Sequence, residues 1–251
     1  MTGKDKKIRL DQLLVERGLV ETRTKAQATI MAGQVYSETR RLDKPGQQVG
    51  AHINIEIKGQ DHRWVSRGGL KLDHGLSHFK IDPTGLTCLD IGASTGGFTD
   101  VLLTNGAAHV IAVDVGHGQL AWKLRQDDRV RVMERTNARH LTPEQVPEQI
   151  QLIVCDASFI GLETLLPATL ALALPGARLI ALIKPQFEVG KGNVGKGGVV
   201  RDSAQHEEVC ERISSWLGGL PGWRVLGVEE SPITGPEGNI EFLIAAVFDG
   251  A

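Results

Sequence analysis

Leu89-Asp90-Ile91-Gly92-Ala93-Ser94-Thr95-Gly96-Gly97-Phe98-Thr99-Asp100 (LDIGASTGGFTD) decides the fold. The apolar run Leu86–Ile91 leads into it and reads as a buried strand; Gly96–Asn105 leads out and reads as a helix. Glycine between them lets the backbone approach a ligand and lets the helix pack tightly on the strand. In such folds ligands bind outside the carboxyl ends of the strands. The next strand, His109–Val113, runs into Asp114. A carboxylate there, about twenty residues after the loop, accepts hydrogen bonds from ribose hydroxyls. A dinucleotide fold asks for G-x-G-x-x-G, which Gly92, Gly96 and Gly97 do not match.

Working outward, Val130–Met133, Gln151–Cys155, Arg178–Ile183, Arg224–Glu229 and Ile240–Phe248 read as further strands. Helices are expected over Gly68–Phe79, around Leu120, over Leu162–Leu174 and over Ser203–Leu217. Apolar strands alternating with helices predict an α/β fold with a doubly wound, largely parallel sheet. Ahead of it, Leu10, Leu13 and Leu14 mark an amphipathic helix over Arg9–Arg17, which Gly18 ends. Thr22 caps a second helix, Arg23–Met31, which Gly33 closes. Short strands follow at Val35–Ser37 and His52–Ile57, with a Pro45-Gly46 turn between them. The expected division is a small α+β domain over 1–60, a linker at about 58–66, and a larger domain over 67–251.

The charge of -2 conceals an asymmetry. Residues 1–80 hold 15 basic and 9 acidic side chains; the remainder holds 13 and 21. Either the front is a polyanion-binding module or the difference is chance variation in solvated surface. Cys88, Cys155 and Cys210 are scattered, giving neither a disulfide framework nor a zinc site, which fits a reducing cytoplasm. The amino-terminal MTGKDKKIRL lacks the apolar core of a signal peptide. The most apolar stretch, Ala168–Ile183, is interrupted by Pro175, Gly176 and Arg178, and no membrane partner is expected.

Four polar residues sit where chemistry is expected. Lys71 lies on the helix before the first strand of the large domain; Asp156 and Lys184 end two strands; Glu241 lies in a late strand. Strand ends near a switch point converge in space. Singly, each is as readily a solvated cap or an ion-pair partner. Together they suit transfer to a ribose hydroxyl, a poor nucleophile that needs a base or a cation. A lysine depressed in pKa by burial and a second lysine is such a base, with Asp156 and Glu241 orienting the two ammonium groups. Amino methylation of adenine wants an Asn/Asp-Pro-Pro-aromatic run, where this chain has Asp156-Ala-Ser-Phe159. Methylation at pyrimidine carbon 5 needs a nucleophilic cysteine, and Cys155 reads as a packed strand residue.

Gly190–Gly197 nearly spells a phosphate-binding loop, but glycine stands where Ser or Thr must reach magnesium. Gln186–Arg201 reads as a mobile basic loop that closes over RNA or cofactor, or as a plain connection. His74 and His78 are spaced i, i+4 without a third ligand in sequence, so an exposed pair and no metal are expected.

The D-x-G-x-x-x-G-G-F loop resembles the first motif of Rossmann-like methyltransferases. With SRGGLKLDHGL, VDVGHGQL, CDASFI, IKPQFEVGKGNVGKGGVVRD and SPITGPEGNIEF, the chain resembles the TlyA family along nearly its whole length. Members are sometimes labelled hemolysins, and their catalytic domain is similar to the FtsJ-type ribose methyltransferases. RLDQLLVERGLVETRTKAQATIMAGQV is similar to the small RNA-binding domain first seen in a small-subunit ribosomal protein. The resemblance implies S-adenosylmethionine-dependent 2′-O-methylation of cytidine in ribosomal RNA. It implies a Lys-Asp-Lys-Glu tetrad at Lys71, Asp156, Lys184 and Glu241. It implies cofactor contacts at Asp90, Gly92, Ala93, Ser94, Gly96, Gly97, Phe98 and Asp114, with Asn137 on the adenine side.

Arg9, Arg23, Lys25, Arg40 and Arg41 are candidates for phosphate contacts, which position RNA without reading its sequence. Arg63 and Arg67, at the linker, are candidates for tracking RNA. Three alternatives compete. A membrane-active hemolysin lacks a segment able to insert. A non-catalytic ribosome-assembly factor has no use for an intact tetrad. A pseudouridine synthase would share Arg9-Leu-Asp11 only superficially, since no second domain of that type follows.

Overall fold

In the computed structural model, residues 7–17, 19–20, 22–38, 40–57, 63–190, 194–195, 197–235 and 238–250 are described. The chain divides into two compact units, Met1–Arg63 and Trp64–Ala251. Gly18 and most of the expected linker, residues 58–62, lie outside the described residues.

The smaller unit runs β1 (Lys7–Arg9), α1 (Leu10–Glu16), α2 (Arg23–Met31), β2 (Val35–Ser37), β3 (Arg40–Arg41), β4 (Gln48–Gly50) and β5 (Glu56–Ile57). Leu10, Leu13, Leu14, Ala26, Ile30 and Val35 form its core. The Thr22 hydroxyl accepts from the Lys25 amide at 3.2 Å, so α2 starts at the expected cap. The strand expected over His52–Ile57 shrinks to β5. The Arg17 guanidinium donates to the carbonyls of Ala51 and Ile53, each at 2.6 Å, in place of a ladder partner.

The larger unit runs α3 (Gly68–His78), β6 (Thr87–Ile91), α4 (Gly97–Thr104), β7 (His109–Val113), α5 (Trp122–Arg125), β8 (Val130–Met133), β9 (Ile150–Cys155), α6 (Leu162–Leu165), α7 (Pro167–Leu170), β10 (Ala173–Ile183), α8 (Pro185–Glu188), α9 (Ser203–Gly218), β11 (Trp223–Glu230) and β12 (Phe242–Phe248). One seven-stranded sheet has the order β11-β12-β10-β9-β6-β7-β8. β12 alone runs opposite to the other six strands. The central strands are buried on both faces, between two apolar cores. The chain winds outward through β6, β7 and β8, then returns to β9 on the other side of β6. The switch point therefore lies between the carboxyl ends of β6 and β9.

Four local expectations change. The helix expected around Leu120 is the four-residue α5, beginning two residues later. Ala121 N donates to the Thr95 carbonyl, and Leu120 packs beneath the glycine loop. The helix expected over Leu162–Leu174 is split at Pro167 into α6 and α7, and β10 already begins at Ala173. Glu241 lies one residue before β12, its carbonyl accepting from the Ser231 amide. The Gln186–Arg201 connection begins inside α8 and ends in buried Val199 and Val200; Asn239 accepts from the Val200 amide at 3.1 Å and donates to the Gly198 carbonyl.

Candidate active site

Lys71 comes from the first turn of α3; Asp156 and Lys184 follow β9 and β10; Glu241 precedes β12. The fold joins them into one polar chain. Lys71 Nζ is 2.5 Å from Glu241 Oε2 and 4.0 Å from Asp156 Oδ2. Lys184 Nζ is 2.5 Å from Asp156 Oδ1 and donates to the Ser158 hydroxyl at 3.0 Å. Two ammonium groups face two carboxylates, so the cluster is neutral as a whole and its burial is tolerable. Glu241 is fully buried, while Asp156, its side chain 21% exposed, opens to solvent. Gly235 covers Glu241 so closely that a Cβ there would meet Oε1 at 2.0 Å.

A cavity of about 560 Å³ lies over this chain, lined by Lys71, Asp156, Ser158 and Lys184 together with Gly92, Ala93, Ser94, Gly97 and Phe98. A second, of about 440 Å³, is lined by Asp114, Asn137, Gln119 and an apolar set including Val113, Val115 and Ile160. Gly92, Ser94, Asp156 and Ser158 line both, so the two adjoin. Such volumes suit a nucleotide-sized ligand. Asp114 already accepts from the amides of Ser94 and Gly116, at 2.9 and 2.6 Å, and a carboxylate has further lone pairs for hydroxyls. Gly92 (φ +80°) runs so near the Ala157 backbone that a Cβ would stand 3.0 Å from it. The loop is thus a cradle that side chains would fill, and it fits a nucleoside ligand extended toward Lys184.

Asp90 and Gly96 line neither cavity. Gly96 (φ +95°) is the residue that caps the start of α4, and a Cβ there would stand 2.3 Å from Leu124 Cδ1. Asp90 is fully buried; its Oδ2 accepts from the Thr99 hydroxyl at 2.6 Å, while among the described residues Oδ1 has no hydrogen-bond partner. Burial pushes its carboxyl up to about 7. The unfolded chain releases this proton at about pH 4. Between about pH 4 and 7 the fold keeps a proton that the unfolded state has lost, so its stability contribution is lost as pH rises through that window. Asp90→Asn is expected to remove a change of about 2–4 kcal/mol, accumulated across this window, from the pH dependence of unfolding. Denaturant titrations of both proteins across this range check it; parallel curves would refute the assignment.

In the smaller unit, Arg9 and Arg23 both reach Asp11 Oδ2, at 2.9 and 3.0 Å. The Arg9 hydrogen bond holds the buried Asp11 carboxyl far below the usual carboxylate range, with Gln27 and Arg23 adding to it. Both guanidinium groups remain partly exposed. Arg40 and Arg41 are exposed on β3, Arg41 lying 3.8 Å from Asp43; Lys25 is exposed on α2. Arg63 is exposed at the end of the smaller unit, whereas Arg67 lines the first cavity and donates to the Thr234 carbonyl at 2.5 Å. Sequence reasoning missed Ser158, which lines both cavities and accepts from Lys184. Its place two residues past a strand-ending aspartate was the available signal. The Cys155 thiol is wholly buried and pushed up to about 12 by burial, unsuited to nucleophilic attack.

The model of the FtsJ-like methyltransferases matches residues 64–248, and that of the S4 domain matches residues 8–52. The chain belongs to the FtsJ-like methyltransferase family, and S-adenosylmethionine is its cofactor. Among its relatives, YqxC of Bacillus subtilis, named as an rRNA methyltransferase, is 52% identical over 95% of this chain and 85% of its own length. TlyA of Mycobacterium tuberculosis, a 16S/23S rRNA (cytidine-2′-O)-methyltransferase, is 48% identical over 95% of this chain and 89% of its own. A solved structure from Streptococcus thermophilus, described as a hemolysin, is 44% identical, covers 99% of this chain and 90% of its own, and has a TM-score of 0.77. Among the described residues, no helix is long and apolar enough to cross a membrane.

Proposed function

We propose that the chain methylates the ribose 2′-oxygen of cytidine in ribosomal RNA, acting in the cytoplasm. The observation that carries this reading is the buried Glu241–Lys71–Asp156–Lys184 chain opening into a cavity that adjoins the glycine-loop cradle. S-adenosylmethionine, when bound, supplies a methyl group on a positively charged sulfur. Gly92, Ala93, Ser94, Gly97 and Phe98 would shape its seat, Asp114 would accept hydrogen bonds from its ribose hydroxyls, and Asn137 would lie on its adenine side. Asp90 and Gly96 act behind the loop, holding its shape. Lys184, oriented by Asp156 and Ser158, is the group placed to take the 2′-hydroxyl proton. Lys71, fixed by Glu241, lends positive charge to the developing alkoxide. Holding hydroxyl and donor in line supplies much of the remaining acceleration.

Arg9, Arg23, Lys25, Arg40, Arg41 and Arg63 of the smaller unit supply phosphate contacts, and Arg67, at the first cavity of the larger unit, supplies another. The named substrates of TlyA and YqxC favour ribosomal RNA as the acceptor. The test offers ribosomal subunits lacking the modification together with donor labelled in its methyl group. Label entering rRNA, and recovered as methylcytidine by nucleoside mass analysis, is the expected result. Donor binding without transfer to either subunit would instead make the chain an assembly factor.

A further inference from the structure

The geometry points to a divalent transition-metal site made by His74, His78 and Glu229, of the class that zinc occupies. The sequence offers two histidines one turn apart on α3, and β11 supplies the third ligand from 155 residues away. His74 Nε2 is 3.3 Å from Glu229 Oε1, and His78 Nδ1 is 3.7 Å from the same oxygen. All three ligand atoms lie within 4.8 Å of one another. Zinc bonds of about 2.0–2.1 Å at tetrahedral angles place ligand atoms about 3.3–3.4 Å apart, so small side-chain rotations close the set. Two imidazoles and one carboxylate leave a fourth position for water.

The plain alternative is a hydrogen bond between His74 and Glu229. It explains the His74 contact, and the His78 ring also packs on Phe79, whereas a metal ion would use a nitrogen of each imidazole and the same carboxylate together. All three side chains are between 35% and 42% exposed, so an ion can enter from solvent. None lines either cavity of the active site. His74 lies on α3 just beyond Lys71, so a bound ion would tie the helix bearing Lys71 to the β11 edge of the sheet. This is a structural tie, independent of the methyl-transfer reading.

Tag-free full-length protein, titrated with Zn²⁺ alone in a non-chelating buffer, tests it by calorimetry. One equivalent binding at micromolar metal, with a rise in Tm, is expected. Removing an outer partner of a metal ligand already weakens binding about 10–100-fold, so His74→Ala and Glu229→Gln should each weaken it at least tenfold. Glu229→Gln keeps the shape and guards against a folding defect. Co²⁺ should show a nitrogen- and oxygen-ligated spectrum without thiolate charge transfer. No binding, binding unchanged in both variants, or a thiolate band from the cysteines would overturn the assignment.

Discussion

Lys184→Ala is expected to lower methyl transfer about 10²–10⁴-fold, the span of a lost general base, while donor affinity stays nearly unchanged. Lys184 Nζ stands at the cavity wall between Asp156 Oδ1 and the Ser158 hydroxyl, so its loss removes the proton acceptor without touching the glycine loop. Lys184→Arg separates two roles. Arginine keeps the positive charge but does not deprotonate, so it should be nearly as inactive as alanine. Single-turnover rates and a donor-binding titration give both readouts. Substantial activity in the arginine variant would show that the position supplies charge alone. Normal turnover in the alanine variant would remove Lys184 from the mechanism.

Lys71→Met carries the largest expected cost in stability. Glu241 is fully buried, and among the described residues its Oε1 has no hydrogen-bond partner, so Lys71 at 2.5 Å from Oε2 is what balances its charge. Removing one member of a buried pair strands the other, at a cost of about 3–5 kcal/mol. Adding Glu241→Gln to Lys71→Met should restore much of that loss, because no bare charge then remains. The two substitutions would be strongly non-additive in a double-mutant cycle. Denaturant unfolding of the four proteins measures it. A loss below about 1 kcal/mol for Lys71→Met would mean that the pair is solvated in solution.

The centre of the sheet was legible in the sequence for a physical reason. β6, β7 and β9 are buried on both faces, so they read as short continuous apolar runs, and polar residues begin where each strand meets the site. Asp114, Asp156 and Lys184 were therefore placed at strand ends. Legibility failed where the decisive partner is remote. Nothing near Leu120 signals that the chain must run under Gly96, which shortens α5. Nothing near His52 signals that Arg17 takes the carbonyls a longer strand would need. Glycine identity alone does not separate the loop's residues by what each one meets. Gly92 and Gly97 border the cavities, whereas Gly96 answers only to the leucines beneath it. Asp90 shares the motif with the expected cofactor contacts, and its carboxylate accepts from the Thr99 hydroxyl.

The measurement that tests ribose methylation most directly is alkaline hydrolysis of ribosomal RNA labelled by this protein. Alkaline cleavage uses the free 2′-oxygen, so a methyl group there protects the adjoining phosphodiester. The proposed activity leaves the label in alkali-stable dinucleotides beginning with cytidine, and none of it when Lys184 is alanine. Label released in mononucleotides would place the methyl group on a base and contradict the role given to Lys71, Asp156, Lys184 and Glu241.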